Sequence, residues 1–158
     1  MRVAPTLDKS LRIDAESPTD WLVLEMICTD ASHMPDEPLA DKLADFMAAD
    51  EDWNELITPE LSDQFNEQIL HVSRAISTAE KGNDLTGSLF ITSEEADIWF
   101  GALNQARLSL EERHEISQYE NDIDEEALEY EDPSLKAAII RYHFYTSLQS
   151  IMLDYILD

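Results

Sequence analysis

The sequence predicts an all-α fold, a helical bundle of about five helices in a single domain, residues 1–158. Glycine occurs three times and proline six times, too few for the many tight turns of a β-sandwich or barrel. Hydrophobic residues make up 44 % of the chain, close to the globular average, so a sizeable core can form. A chain of 158 residues fits one compact domain better than two small ones.

Three of the predicted helices begin with a cap residue that is followed by proline. The side-chain oxygen of Ser, Thr or Asp accepts a hydrogen bond from an N–H group of the first helical turn. Proline has no N–H to leave unpaired there, and its fixed backbone angle suits the first helical position. The cap and proline pairs are Ser17-Pro18, Thr58-Pro59 and Asp132-Pro133.

The spacing of apolar residues predicts the extent of the first three helices. We expect the first to run for about ten residues and to end near Cys28. The second is predicted to be amphipathic and to cover residues 38–48. The third is predicted to start at Pro59 and to end at Gly82, which would adopt the left-handed cap conformation that glycine allows.

Two longer helices are predicted in the second half of the chain. The fourth should begin after Thr92, with Glu95 reaching back to complete a capping box. The fifth, from Pro133 to about Leu157, is apolar nearly all round, so we expect it to be central or to be covered by a second copy in a homodimer. Between them, residues 115–132 carry nine acidic and no basic residues, which predicts an acidic loop or one short helix. The apolar stripe of the fourth helix consists of Trp99, Leu103, Ala106 and Leu110.

Two segments that precede helices share a pattern. SLRIDAESPTDW at residues 10–21 and SLFITSEEADIW at residues 88–99 match at serine, leucine, isoleucine, glutamate and tryptophan. Each segment is typical of a short strand, a cap and a helix start. Because an isolated short strand needs a partner, we expect residues 11–13 and 89–91 to pair as a small two-stranded ribbon.

The charge balance restricts the classes of partner. The chain has 35 acidic and 10 basic residues, a net charge of -25. Direct binding to nucleic acid is excluded, because such binding depends on Lys and Arg at the phosphates, and anionic membranes are disfavoured for the same reason. The excess charge indicates either a solubilising surface or an acidic mimic of nucleic acid that binds a basic protein. With no apolar signal core and no membrane-length apolar run, we expect a cytoplasmic protein.

Residues that could carry chemistry form few groups. Glu111 and His114 have the Glu-x-x-His spacing of helical metal sites, so a metal-dependent enzyme is the alternative hypothesis. No second pair of this kind occurs, and Cys28, the only cysteine, excludes an internal disulfide and a cysteine zinc cluster. The sequence also lacks a nucleophile elbow and a glycine-rich phosphate loop. We therefore expect no catalytic set and no cofactor.

Arg107 is the basic residue with the most specific position. At about 100° per residue it lies about 80° around the fourth helix from Trp99, on the flank of the apolar stripe. A guanidinium there needs a carboxylate partner. That carboxylate belongs either to the same chain, in a structural ion pair, or to a ligand or protein partner. Breaking a buried internal pair would destabilise the fold by about 3 to 5 kcal/mol, and a rim-exposed pair by less than about 1 kcal/mol.

The run ADIWFGALNQARLSL at residues 96–110, followed by the aromatic helix IIRYHFYTSLQSIMLDYIL, resembles the uncharacterised actinobacterial family catalogued as domain of unknown function two thousand and seventeen. The likeness covers most of the chain and depends on a W-x3-LN-x2-R-L pattern. Members of the family commonly continue this pattern with Ala-Leu-Gly, where residues 109–111 read Ser-Leu-Glu. The pattern falls on Trp99, Leu103, Asn104, Arg107 and Leu108.

The resemblance implies a mostly helical cytoplasmic protein without an assigned activity. Genes of this family often lie near that of the Clp protease adaptor, which implies a link to regulated proteolysis. Together these observations predict a non-enzymatic interaction or regulatory protein, with Trp99, Asn104 and Arg107 as candidate binding residues. Its protein partner is expected to be basic or to belong to the Clp proteolysis system.

Overall fold

The computed structural model describes residues 1–34, 38–46, 57–119 and 132–157. These residues are mostly helical, as predicted, but the all-α class is too narrow because they also form a small antiparallel sheet of three strands. None of the helices that the structure describes has the length and hydrophobicity to span a lipid bilayer. The elements in chain order are β1 Arg2–Pro5, β2 Leu11–Ala15, α1 Pro18–Ser32, α2 Leu39–Phe46, α3 Thr58–Thr78, β3 Gly87–Ile91, α4 Ala96–His114, a 3-10 helix Ile116–Tyr119 and α5 Pro133–Tyr155.

The sheet contains the predicted ribbon and one further strand. In β2 and β3, Leu11 pairs with Ile91 and Ile13 with Leu89, which confirms the predicted pairing. All four side chains are buried, because alternate residues of a strand point to the same face. The strand that the sequence did not predict, β1, pairs antiparallel with β2 at the edge of the sheet. Three of its four residues are exposed, so it lacks the hydrophobic alternation that reveals a buried strand.

The core lies around α4, which packs against α1, α3 and α5. Its predicted apolar stripe is confirmed, since Trp99, Leu103, Ala106 and Leu110 are fully buried. On another side of α4, a Cβ added at Gly101 would lie 2.5 Å from the side-chain amide of Gln68. Glycine at this position therefore leaves room for the Gln68 side chain against α4, and a larger residue would require that side chain to move.

The predicted caps form in three of four cases. The Ser17 oxygen accepts from the Asp20 N–H at 3.3 Å, and the Asp132 carboxylate accepts from the Ser134 N–H at 2.8 Å. Thr58, in contrast, is the first residue of α3 and not its cap. The capping box before α4 is reciprocal: the Glu95 N–H donates to Thr92 Oγ1 at 3.3 Å, and the Thr92 N–H donates to Glu95 Oε2 at 3.2 Å.

Two predicted helix ends are wrong. Helix α1 continues past Cys28 to Ser32, because Asp30 and Ala31 in its last turn are also buried. Helix α3 ends at Thr78, and Gly82 does not have a positive φ.

The left-handed residue of the loop that follows α3 is Leu85, with φ 63°. Its carbonyl accepts a hydrogen bond from the indole N–H of Trp21 at 2.5 Å, so a contact with α1 accompanies the unusual backbone angle. The loop before β3 is thus tied to the core through a side chain distant in sequence.

The remaining boundaries agree within a few residues where the structure describes them. Helix α2 lies inside the predicted range 38–48, whose last two residues are outside the described part of the chain. Helix α5 begins at Pro133 as predicted and ends two residues before Leu157. Of the acidic segment 115–132, the structure describes Glu115, the 3-10 helix and Asp132, and the short helix predicted further along lies outside the described residues.

Candidate functional site

Helix α4 divides the residues of the W-x3-LN-x2-R-L pattern between the core and the surface. Trp99 and Leu103 are fully buried, so Trp99 is a core residue and does not reach the surface as a binding residue would. Asn104 is exposed, and Leu108 is 42 % exposed. Arg107 lies between these two environments and is half-buried. The surface part of the pattern is therefore Asn104, Arg107 and Leu108.

The Arg107 guanidinium is held by neutral groups of α5. One terminal nitrogen donates to the Gln149 side-chain oxygen at 2.6 Å, and the other donates to the Tyr142 hydroxyl at 3.2 Å. The guanidinium carbon also lies 5.0 Å from the centre of the Tyr142 ring, within the range of a cation–π interaction. The remaining nitrogen, Nε, is buried and has no hydrogen-bond acceptor among the described residues.

The carboxylate partner expected for Arg107 is not found among the described residues. No described carboxylate lies within 4.0 Å of its guanidinium. The facing side of α5 explains this, because it presents Tyr142 and the buried Gln149. The Gln149 amide nitrogen donates to the Phe100 carbonyl at 3.2 Å, which leaves the amide oxygen directed at Arg107.

We call Asn104, Arg107, Leu108, Tyr142 and Gln149 the α4–α5 seam. Neutral acceptors orient the Arg107 guanidinium without cancelling its charge. A half-buried cation of this kind can form a charge-assisted, two-nitrogen bond with an incoming carboxylate. Asn104 offers both amide donors and an acceptor beside it, and Leu108 offers apolar surface. Chemically, the seam is suited to recognising a carboxylate and lacks a nucleophile.

A second group, the Asp30 cluster, was not predicted from the sequence. It consists of Asp30 on α1, Arg113 on α4, and Arg141 and Tyr145 on α5. The Asp30 side chain is 1 % exposed and accepts four hydrogen bonds. These come from Arg113 at 2.9 Å, from Arg141 at 2.8 and 3.1 Å, and from the Tyr145 hydroxyl at 2.7 Å. The available signal was Asp30 in the last turn of α1, a helix that also carries Asp20 and Glu25, with Arg141 and Tyr145 four residues apart on another helix.

The Asp30 cluster favours the protonated forms of two of its donors, Arg141 and Tyr145, whose pKa values are raised. Burial lowers the pKa of Arg141, but its hydrogen bond to Asp30 and the charge of Asp30 outweigh burial and raise it. Burial first, and then the hydrogen bond to Asp30, raise the pKa of Tyr145 well above its usual range. Nearby, burial and then the charges of Arg113 and Arg141 lower the pKa of His114. The cluster is thus a saturated ionic contact that joins three helices.

Glu111, one member of the predicted metal pair Glu111 and His114, is engaged in hydrogen bonds with its own chain. Both oxygens of Glu111 accept hydrogen bonds from Ser117, from its N–H at 2.8 Å and from its hydroxyl at 2.5 Å. Glu111 therefore holds the 3-10 helix against the end of α4. Within the described ranges, no group of three His, Cys, Asp or Glu side chains could hold a metal ion. The structure brings no additional described ligand to this pair.

Cys28 has the surroundings of a structural thiol. Burial raises its pKa to about 11, and its sulfur donates to the Ile69 carbonyl at 3.6 Å. A thiol with a raised pKa is a poor nucleophile at neutral pH, because the thiolate is the reactive form. The interpretation of Cys28 as a packing residue is consistent with these contacts.

Comparison with known proteins gives one result that covers most of the chain. No curated protein and no solved structure matches the sequence. A family model described as "Domain of unknown function (DUF2017)" matches residues 2–156. These residues include every strand and helix that the structure describes, so the chain belongs to the DUF2017 family.

Proposed function

We propose that this protein is a non-enzymatic interaction or regulatory protein, and that it binds a carboxylate of a protein partner at the α4–α5 seam. The observation that carries the proposal is the environment of Arg107. Its guanidinium is oriented by Gln149 and Tyr142 and meets no carboxylate among the described residues. In a chain with 35 acidic and 10 basic residues, an arginine in this situation is unusual.

Electrostatics favours an external carboxylate at this position. A half-buried guanidinium has lost part of its hydration, and its attraction to a carboxylate is stronger there than in water. Gln149 and Tyr142 already hold the planar group in place, so a partner pays little entropy to order it. Binding of a partner carboxylate therefore offsets the free-energy cost of leaving Arg107 without a counter-charge.

The surroundings of Arg107 support a protein partner over a small carboxylic acid. Leu108 is 42 % exposed beside the charged group, and Asn104 is exposed one turn earlier. Arginine and tyrosine surrounded by apolar and amide groups have the composition of interaction hot spots. The proposal includes a cytoplasmic setting, and the Clp proteolysis system is the first place to look for the partner.

The test compares arginine variants in affinity capture from a native cell extract. We expect the wild-type protein to capture a partner. The amount captured by Arg107→Met should be lower by about tenfold or more, the usual consequence of removing a hot-spot residue. Arg74→Met is the matched control, because Arg74 is an exposed arginine on α3. Arg107→Lys keeps the charge but not the two-nitrogen geometry, so it should bind with intermediate affinity.

The identified partner is then measured with purified proteins. Circular dichroism of each variant verifies that the helices are intact, so that loss of binding is not loss of folding. Equal affinities of wild type, Arg107→Met and Leu108→Asp for the same partner would show that the seam is not the binding site. A partner whose affinity is unchanged when its acidic residues are neutralised would contradict the carboxylate mechanism.

A further inference from the structure

The solvent side of α5 carries a regular stripe that the single chain covers only in part, since Phe144 and Ile151 are partly buried against the core. Its members recur at alternating intervals of three and four residues, the spacing of a helix that packs against another helix. Ile140 is 59 % exposed, and no residue of the stripe is buried. We call these residues the outer stripe: Ala137, Ile140, Phe144, Ser147, Ile151 and Asp154.

The charge of α5 distinguishes it from the other described helices. Residues Pro133–Tyr155 contain Lys136, Arg141 and Asp154 as their charged residues, a net charge of +1 from two basic residues and one acidic residue. Each of the other four described α-helices has more acidic than basic residues. In a chain with a net charge of -25, two copies repel each other less if they meet through α5 than through any other described α-helix.

Lys136 and Asp154 place opposite charges near the two ends of this face of α5. They lie eighteen residues apart, which is five complete turns, so both project from the same side of α5. The axial separation is about 27 Å at 1.5 Å per residue, too far for an ion pair within one helix. Among the described residues, neither side chain is within 4.0 Å of an opposite charge.

We propose that the outer stripe binds the outer stripe of a second copy of this chain, with the two α5 helices antiparallel. A twofold axis level with Tyr145 and Thr146 brings each residue of one outer stripe opposite a residue of the other, over the whole length of the stripe. Ile140 then faces Ile151 of the second copy, and Phe144 faces Ser147, a large residue against a small one. In the same register, Lys136 lies beside Asp154 of the second copy, and the twofold axis forms this pair twice.

This dimer does not use the surface of the proposed function. At about 100° per residue, Tyr142 and Gln149 lie about half a turn around α5 from Ile140. The α4–α5 seam therefore remains open in the dimer, on the side away from the second copy. Dimerisation would present two seams to a partner with two carboxylate-bearing segments. Failure of either proposal leaves the other intact, because different residues carry them.

The first experiment measures the mass of the purified protein by sedimentation equilibrium across micromolar concentrations. We expect a monomer–dimer equilibrium in wild type and about a tenfold weaker dimer, or more, in Ile140→Asp, because the interface then buries a charge. Leu22→Asp is the matched control, since Leu22 on α1 is 57 % exposed and should leave the dimer unchanged. A monomeric wild type, or equal weakening by Leu22→Asp, would overturn the proposal.

The second experiment tests the register through a charge exchange. Lys136→Asp and Asp154→Lys should each weaken the dimer, because each places like charges together at both ends of the interface. The double variant Lys136→Asp/Asp154→Lys should recover the wild-type dissociation constant. Asp154→Lys alone makes the net charge less negative, so a stronger dimer in that variant would mean that net repulsion, and not the pair, controls association. That result, or a double variant no better than the single ones, would refute the antiparallel register.

Discussion

The Asp30 cluster and the α4–α5 seam both place arginines between α4 and α5, but they differ in their counter-charge. At the Asp30 cluster two arginines surround one carboxylate whose side chain is 1 % exposed, and every oxygen of that carboxylate is paired. At the seam one arginine meets an amide oxygen and a phenol. The first site is saturated within the chain, and the second is not saturated by any described residue.

The difference follows from the cost of burying ions. A fully buried carboxylate without partners would cost several kcal/mol, so it is retained in a folded protein only with complete pairing. A half-buried guanidinium still contacts water and tolerates neutral partners. A structural ion pair was one of the two expectations for Arg107, but the structure forms such a contact at Asp30. Between α4 and α5, Arg107 is thus the arginine that meets no carboxylate among the described residues.

The largest expected effect comes from removing the buried carboxylate. Asp30→Ala should destabilise the fold by about 3 to 5 kcal/mol, because Arg113, Arg141 and Tyr145 then lose their common acceptor in a low-dielectric site. Urea denaturation followed by circular dichroism measures the change in the free energy of unfolding. Glu25→Ala on the exposed side of the same helix is the control and should have little effect. A loss as small in Asp30→Ala as in Glu25→Ala would show that the cluster is not structural.

A smaller effect is expected at the seam. Arg107→Met should cost about 1 to 2 kcal/mol, mainly because the buried oxygen of Gln149 loses its donor. If this oxygen is the cause, Gln149→Leu in the Arg107→Met background should cost less than Gln149→Leu in wild type. The double-mutant cycle from urea denaturation gives that coupling energy. A loss of about 3 kcal/mol or more for Arg107→Met would indicate a buried carboxylate partner and would contradict the contrast with Asp30.

The sequence predicts the fold well where the signal is local. Proline after a cap residue located the starts of α1 and α5, because hydrogen bonds within one turn determine these ends. The Thr92–Glu95 pair forms its capping hydrogen bonds, but α4 begins three residues after the predicted position, at Ala96. The end of α1 and the conformation of Leu85 depend on contacts with distant parts of the chain. The exposed strand β1 has no local signal, since its partner alone makes it a strand.

The candidate site was predictable in part. The helical angle placed Arg107 at the edge of the core, and the structure agrees. Its neutral partners could not be predicted, because Tyr142 and Gln149 are more than thirty residues away and the sequence does not specify which face of α5 meets α4. The same long-range packing hid the Asp30 cluster, whose members come from three helices.

The smallest expected effect is a pH dependence at the edge of the Asp30 cluster. Burial and then the charges of Arg113 and Arg141 lower the pKa of His114 in the folded protein below its ordinary 6.5, although the charge of Asp30 opposes them. As the pH falls through 6.5, the unfolded chain binds a proton at His114 that the folded chain does not. The free energy of unfolding therefore decreases until the folded His114 also becomes protonated.

His114→Gln should lack this contribution, so the stability of wild type relative to the variant should decline over the same window and be constant above it. Urea denaturation at a series of pH values measures the difference, with His33→Gln as a control for replacing an exposed histidine. A relative stability of wild type that rises on acidification would mean that Asp30, and not the two arginines, dominates the field at this edge of the cluster.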